Sequence, residues 1–242
     1  MSEIDFNYND LLKSVSPYLG SSLAASTAAV PLFKEVAAKS ALQRGLGIPM
    51  MTALDRLKGG LKVAPTVGVI VGFQMGLNKI VEDKLLNKSQ KDTVAGKMVS
   101  SSIVGLASAP MLAVLNGQSM GRSPLESLRN FKPKLAGAIA VQETTFVLGL
   151  SSADLLSSKM KKLFGDNAIT DYSASFIAGS LGSLAGHPAN TALTRWQSGL
   201  TIDNPKQLLW GSARKARAVG IFSVIYKFGK SHINERLDNL TK

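Results

Sequence analysis

The stretch FIAGSLGSLAGHPANTALTRWQ, residues 176–197, decides how this chain is interpreted. It is apolar, rich in Gly, Ala and Ser, and it carries Pro188 in its second half. Two earlier segments are similar: the uncharged run from Ser14 to Phe33 contains Pro31, and the run from Met98 to Gly121 contains Pro110. Because about 20 residues cross a bilayer core as a helix, all three segments are predicted to be transmembrane helices.

The three prolines are evenly spaced, 79 and 78 residues apart. Beyond each one lies a glutamine (Gln43, Gln118 or Gln197) and then a polar stretch with a short amphipathic segment, at 47–62, 123–134 and 204–217. Such self-similarity predicts a single domain, 1–242, built from three repeats of helix, short surface helix and helix. The approximate repeats are 14–86, 93–163 and 169–238.

Six membrane-spanning helices are predicted, at 14–43, 63–86, 93–121, 134–163, 169–199 and 214–238. Gly179, Gly182 and Gly186 share one helix face, and small residues at this spacing let two helix backbones approach closely. Tight helix packing is the expected role of that face, and lining a substrate path is the alternative. A proline inside a helix removes a hydrogen bond and kinks it. Three kinked helices would form a barrel that closes at a narrow end.

The composition favours a membrane protein. Hydrophobic residues make up 45% of the chain and charged residues 18%, whereas soluble domains carry about 25% charged residues. The net charge of +12 comes from basic residues spread between apolar stretches. That distribution indicates contact with lipid headgroups, and no nucleic-acid partner is expected. The first residues resemble neither a secretory signal nor a transit peptide, so any targeting is expected from internal segments.

Nothing in the sequence indicates an enzyme. The chain lacks cysteine, which excludes disulfides and thiolate metal sites. His187 and His232 do not share a metal-ligand spacing. No Ser–His–acid combination is recognisable, and the glycine-rich stretch lacks the Lys-Ser/Thr of a phosphate-binding loop. We expect no catalytic, cofactor-binding or metal site.

The third repeat resembles the mitochondrial carrier family. Each odd-numbered helix of that family carries Pro-x-Asp/Glu-x-x-Lys/Arg-x-Lys/Arg-x-Gln, and here Pro188, Arg195 and Gln197 fall in register, with Asn190 at the acidic position. The later sequence Trp210-Gly211-x-x-Arg214-x-x-Arg217, followed by Tyr226-Lys227-x-x-Lys230, also resembles the family. The resemblance covers residues 14–238 and is most specific in the third repeat.

The resemblance implies a fold, a location and a lipid. The expected fold is an all-α membrane protein of six helices in pseudo-threefold repeats, spanning the mitochondrial inner membrane. Carrier-family proteins bind cardiolipin at helix N-termini, where backbone N–H groups meet phosphate. The resemblance therefore makes Trp210, Gly211 and Arg214 candidates for lipid binding.

Six positions depart from the family pattern. In the family, the residues two and five past each proline form ion pairs that close the barrel on the matrix side and break during transport. Here all of these positions are uncharged. A plug of Phe33, Leu112 and Leu193 would favour one closed state, and Lys227 stands where the outer gate needs an acid. The positions two past the prolines are Phe33, Leu112 and Asn190, and those five past are Val36, Leu115 and Leu193.

Several ionisable residues within apolar segments are functional candidates. Glu143, with Gln142, is expected to pair with a lysine of a neighbouring helix, to contact a partner protein or to contact a substrate. Lys34 and Lys39 are expected to extend to the membrane interface. Arg195, without its acidic partner, is expected to bind a phosphate, a lipid headgroup or a backbone carbonyl.

Two functions follow from these observations. In the first, the chain is a degenerate carrier retained as a non-transporting accessory subunit of a respiratory-chain complex, with other membrane subunits as partners. In the second, it is a divergent carrier that exchanges a small anionic metabolite or a nucleotide. A third idea, an import-channel component, conflicts with six helices, since four are usual in such proteins.

Overall fold

The computed structural model describes residues 8–91 and 93–240, and the side chains of 15–91, 93–147, 157–233 and 235–236. The described residues are mostly helical and form no strand, which confirms the predicted all-α class. In chain order the helices are α1 (Tyr8–Gln43), α2 (Ala53–Leu85), α3 (Lys88–Lys91), α4 (Val94–Ser119), α5 (Pro124–Arg129), α6 (Pro133–Phe164), α7 (Ala168–Ala185), α8 (His187–Gln197), a 3-10 helix (Pro205–Leu209) and α9 (Ser212–Leu240).

The six long helices pack in a closed ring. Each packs mainly against two others, in the order α1, α2, α4, α6, α7, α9 and back to α1. The short helix α8 follows α7 and contacts α1, α4 and α6, so it lies toward the middle of the ring. The ends of α1 and α4 therefore meet α8 at one end of the ring, here called the closed end.

Glycines at the helix crossings bring the long helices together. A Cβ on Gly60 of α2 would collide with the backbone of Val30 in α1, and one on Gly229 of α9 would touch Ala24.

The predicted glycine face of α7 also packs against its neighbours. Gly182 packs against Phe146 of α6, whereas Gly179 packs against Ser223 of α9. Gly186 likewise packs against Gln142 of α6. The packing role predicted for the Gly179, Gly182 and Gly186 face is confirmed, with two neighbouring helices sharing it.

The surface helix predicted in the first repeat does not exist as a separate element. Thr52 caps α2, because its side chain accepts from the backbone N–H of Asp55 and the Asp55 carboxylate accepts from the backbone N–H of Thr52. This reciprocal cap starts α2 at Ala53, ten residues before the predicted boundary at 63. The surface helices predicted in the other two repeats are confirmed as α5 and the 3-10 helix.

The prolines act differently in the three repeats. Pro31 and Pro110 lie inside the continuous helices α1 and α4. Pro188 lies in the first turn of α8, just past the end of α7, so the predicted helix 169–199 is in fact two helices. Proline is favoured at a helix start because its missing N–H would have no intrahelical partner there. The break at Gly186 gives α8 its own position in the ring.

Many large apolar side chains face outward, and several small polar ones are buried. Every long helix exposes large hydrophobic side chains, such as Leu23, Val69, Leu106, Val141 and Leu181. Serines such as Ser21, Ser100 and Ser108 are fully buried instead. Among the described helices, α2 and α4 are long and apolar enough to cross a membrane.

Candidate functional site

The three proline-bearing segments meet at the closed end through amide and hydroxyl side chains. Gln43 of α1 donates from Nε2 to Asn190 Oδ1 at 3.0 Å and to Thr191 Oγ at 2.9 Å. The Thr194 hydroxyl lies 2.8 Å from Gln43 Oε1 and 3.2 Å from Asn116 Oδ1. Since α1, α4 and α8 supply Gln43, Asn116 and Thr194 respectively, these bonds join all three segments.

Residues nine positions past the prolines complete the arrangement. Ser40 and Ser119 share a hydrogen bond of 2.7 Å between α1 and α4. Gln197 accepts from Asn116 Nδ2 at 2.8 Å and donates to the Ala113 carbonyl at 2.8 Å. We call the set the amide–hydroxyl network; its members, all buried, are Ser40, Gln43, Asn116, Ser119, Asn190, Thr191, Thr194 and Gln197.

Buried amides of this kind stabilise a closed arrangement without charge. Each satisfied bond contributes about 0.5–1.5 kcal/mol, and a buried polar atom that loses its partner costs about 1–3 kcal/mol. Opening the closed end would break several such bonds together. The network thus joins the three proline-bearing segments at the closed end through neutral hydrogen bonds.

The uncharged motif positions lie beside this network, with one exception. Val36, Leu112, Leu115 and Leu193, together with Asn190, line a void of about 110 Å³ between the proline-bearing segments. Phe33 does not join them, because its ring packs against Gly59 of α2. The predicted three-residue plug is therefore wrong for Phe33, and Val36 takes its place on α1.

Arg195 is fixed by backbone carbonyls. Its Nη1 donates to the Gln43 carbonyl at 3.1 Å and its Nε donates to the Thr201 carbonyl at 2.8 Å. Its guanidinium also lies over the Trp210 ring, 5.6 Å from the centroid. Arg195 was expected to bind a phosphate, a lipid headgroup or a backbone carbonyl, and in the structure it binds backbone carbonyls.

Two further arginines, Arg44 and Arg122, lie near the ends of α1 and α4. Arg122 donates to the Gln197 carbonyl at 2.6 Å and is ion-paired with Glu126 at 3.5 Å. Arg44, the residue after α1, donates to the Ser40 carbonyl. Burial and the nearby Arg122 guanidinium lower the pKa of Arg44. The ends of α1 and α4 therefore bring two like charges close together.

The residues predicted to bind lipid make internal contacts. The Trp210 carbonyl lies 3.0 Å from His187 Nε2, and Trp210 itself is 40% exposed. Gly211 has a φ of +79°, which glycine adopts without strain, and packs against the Lys39 backbone. Arg214 donates to Glu35 Oε2 at 2.9 Å, a contact that joins α9 to α1. Arg214 is therefore ion-paired with a carboxylate of the protein where α9 meets α1.

Glu143 is linked to the amide–hydroxyl network through Gln142. Gln142 donates to Glu143 Oε1 at 3.1 Å and accepts from Asn190 Nδ2 at 2.8 Å. Lys215 of α9 interacts electrostatically with Glu143, although the described contacts contain no direct ion pair between them. The lysine expected near Glu143 is thus present as a neighbour rather than as a hydrogen-bonded partner.

A larger cavity opens toward the other end of the ring. It has a volume of about 560 Å³ and reaches down to Glu143; its polar lining is Gln74, Asn78, Lys79, Glu82, Ser101 and Glu143. We call it the wide cavity. Beyond it, Asp171 pairs with Lys161 at 2.9 Å and with Lys227 at 3.5 Å. These described ion pairs join α7 to its neighbours α6 and α9 and do not cross the ring.

Sequence reasoning missed much of the network. Lys39 was expected to extend to the interface, but it is only 6% exposed and donates to Asn190 Oδ1 at 3.1 Å. A signal was present in the repeat period: Ser40 and Ser119 are 79 residues apart, and Asn116 and Thr194 are 78 apart, like the prolines. Polar residues that recur at the repeat spacing are candidates to meet where the three proline-bearing segments converge.

No protein-family model matches the chain, and no curated protein sequence matches it significantly. The carrier resemblance therefore stays a prediction from the motif residues.

Proposed function

We propose that this chain is a carrier-like protein of the mitochondrial inner membrane that no longer transports and serves as an accessory subunit of a respiratory-chain complex. The observation that carries the proposal is the neutral amide–hydroxyl network. Alternating access needs two states of similar free energy, each closed at its own end. The network stabilises only one of them.

Among the residues that the structure describes, no counterpart to this closure lies at the wide end. The described ion pairs there, Asp171 with Lys161 and with Lys227, connect neighbouring helices along the rim. Because they run along the rim rather than across the ring, they do not close the wide cavity. Opening the closed end would then cost the sum of several buried hydrogen bonds with no matching gain.

Membrane location and partners are supported by the surface. Large hydrophobic side chains project outward from all six long helices, and α2 and α4 are long and apolar enough to span a bilayer. Exposed apolar area of this extent indicates contact with lipid or with other membrane subunits. Anionic lipids, cardiolipin included, fit the net charge of +12 and the half-exposed Trp210.

Reconstitution tests the proposal. The protein is purified from mitochondrial membranes under mild conditions, and its migration on native gels is compared with that of the isolated chain. We expect co-migration with a large complex and no saturable uptake of anionic metabolites or nucleotides by liposomes that contain the isolated chain. Saturable exchange by the isolated chain would contradict the proposal.

The second function, exchange of a small anionic metabolite or a nucleotide, is favoured by one observation. The wide cavity has a volume typical of small-molecule sites and ends at an ionisable residue, Glu143. If this function is correct, the same liposomes will show saturable exchange, and replacing Glu143 with Gln will change its rate or selectivity.

A further inference from the structure

Lys39 is a buried cation without a described counter-charge. Its side chain is 6% exposed, and its ammonium group donates to Asn190 Oδ1 at 3.1 Å. No carboxylate among the described residues lies within ion-pairing distance of it. An ammonium group has three N–H donors, so two directions are left for another ligand. Buried charges in proteins are ordinarily paired.

The groups around Lys39 leave an excess of positive charge. Lys215 of α9 interacts electrostatically with both Lys39 and Glu143, and His187 also faces the two lysines. Glu143 is the carboxylate that faces this group, and one of its oxygens already accepts from Gln142. Two lysines thus share one glutamate in a site of low dielectric constant, and Lys39 has no carboxylate of its own among the described residues.

A void adjoins the Lys39 side chain. The void of about 110 Å³ between the proline-bearing segments is lined by Lys39, Asn116, Ser119, Gln142 and Asn190, together with the four aliphatic side chains named above. A cavity holds a water once about 10–15 Å³ is accessible, so this one has room for an ion and some of its hydration water. Its aliphatic walls suit a weakly hydrated, singly charged ion better than a phosphate.

We propose that this void binds a small monovalent inorganic anion of halide size as the counter-ion of Lys39. The anion would lie between the three proline-bearing segments and add an electrostatic contact to the neutral network. Water alone would fill the same space but would leave the excess charge uncompensated. The proposal depends on the side-chain arrangement at the closed end and is independent of whether the chain transports.

Thermal unfolding of the purified full-length chain in detergent tests this site. Sodium bromide replaces sodium gluconate at constant ionic strength, gluconate being too large for the void. We expect a saturable rise in Tm of about 3 °C or more for the unmodified chain. Lys39→Met should abolish the rise, and Lys34→Met, a change on the same helix at a more exposed lysine, should retain it.

Crystals grown or soaked in bromide provide a second readout that needs no variant. We expect an anomalous difference peak in the void, adjacent to Lys39 Nζ. A void that contains only water in such crystals would overturn the proposal. So would a Tm that is equal in bromide and gluconate, or a rise that persists unchanged in Lys39→Met.

Discussion

At the scale of single residues, Gln43 shows how an uncharged side chain can connect a helix to its neighbours. It is fully buried, and its amide donates to Asn190 and Thr191 while its carbonyl oxygen accepts from Thr194. Its own backbone carbonyl accepts from Arg195. Because nearly every polar atom of Gln43 has a partner on α8, the residue stabilises the closed end and fixes the position of α1 relative to α8.

Replacing Gln43 with Met tests this role. The substitution keeps much of the side-chain volume but removes the hydrogen bonds of the Gln43 side chain to Asn190, Thr191 and Thr194. We expect a loss of about 2–4 kcal/mol in the free energy of unfolding. Unfolding of the purified protein in one detergent, followed by circular dichroism, measures it.

Gln118 offers a matched control. It is 7% exposed, and its Oε1 is buried without a hydrogen-bond partner among the described atoms. Since Gln118→Met removes a buried polar atom that has no partner, its effect should stay within about 1 kcal/mol or be stabilising. Equal losses for Gln43→Met and Gln118→Met would show that the network bonds do not hold the closed end.

Some of the site residues could be predicted from the sequence. Asn190, Arg195 and Gln197 could be predicted because the segment after Pro188 is the best match to the carrier motif, and all three are buried at the closed end. Lys39 was assigned to the interface because a single sequence does not show which side of a helix faces the ring interior. Phe33 was misplaced for the same reason.

At the scale of helices, the apolar runs predicted all six long elements, but two boundaries were wrong. The polar segment 53–62 was separated from α2 because its charges interrupt the apolar run, although Thr52 and Asp55 form a recognisable capping box. Pro188 was placed inside a continuous helix, whereas it starts α8. Local capping signals, rather than hydropathy, determine both boundaries.

Helix crossings should depend on glycine where two backbones approach. Gly60→Ala places a methyl group against the Val30 backbone, so we expect a loss of about 1–3 kcal/mol from overpacking between α1 and α2. Gly76→Ala, on the same helix, meets open space and should gain about 0.5–1 kcal/mol from helix propensity. Thermal unfolding of both variants measures the difference, and a similar loss in both would contradict the close approach.

At the scale of the whole molecule, the ring combines a closed end with a wide cavity. The repeat period anticipated the threefold arrangement of the proline-bearing segments. It did not anticipate the hydrogen bonds that hold them together. Apart from Asn190, the polar residues of the network occupy positions other than the charged positions of the carrier motif. The meeting of the three proline-bearing segments could therefore be predicted from the prolines. The hydrogen bonds that close one end could be identified only from the side-chain geometry.

The most direct test of a permanently closed end is the accessibility of its residues. The chain has no cysteine, so single-cysteine variants report one position each. Ser40→Cys places a thiol in the network, and Ser101→Cys places one in the wide cavity. Both variants are treated in sealed vesicles of either orientation with a membrane-impermeant maleimide, and labelling of the unfolded chains serves as the reference.

If the closed end opens in fewer than about 1% of molecules, Ser40→Cys will be labelled about 100-fold more slowly than Ser101→Cys from every side. Comparable labelling rates for the two thiols, or labelling of Ser40→Cys that accelerates when metabolites or nucleotides are added, would contradict permanent closure.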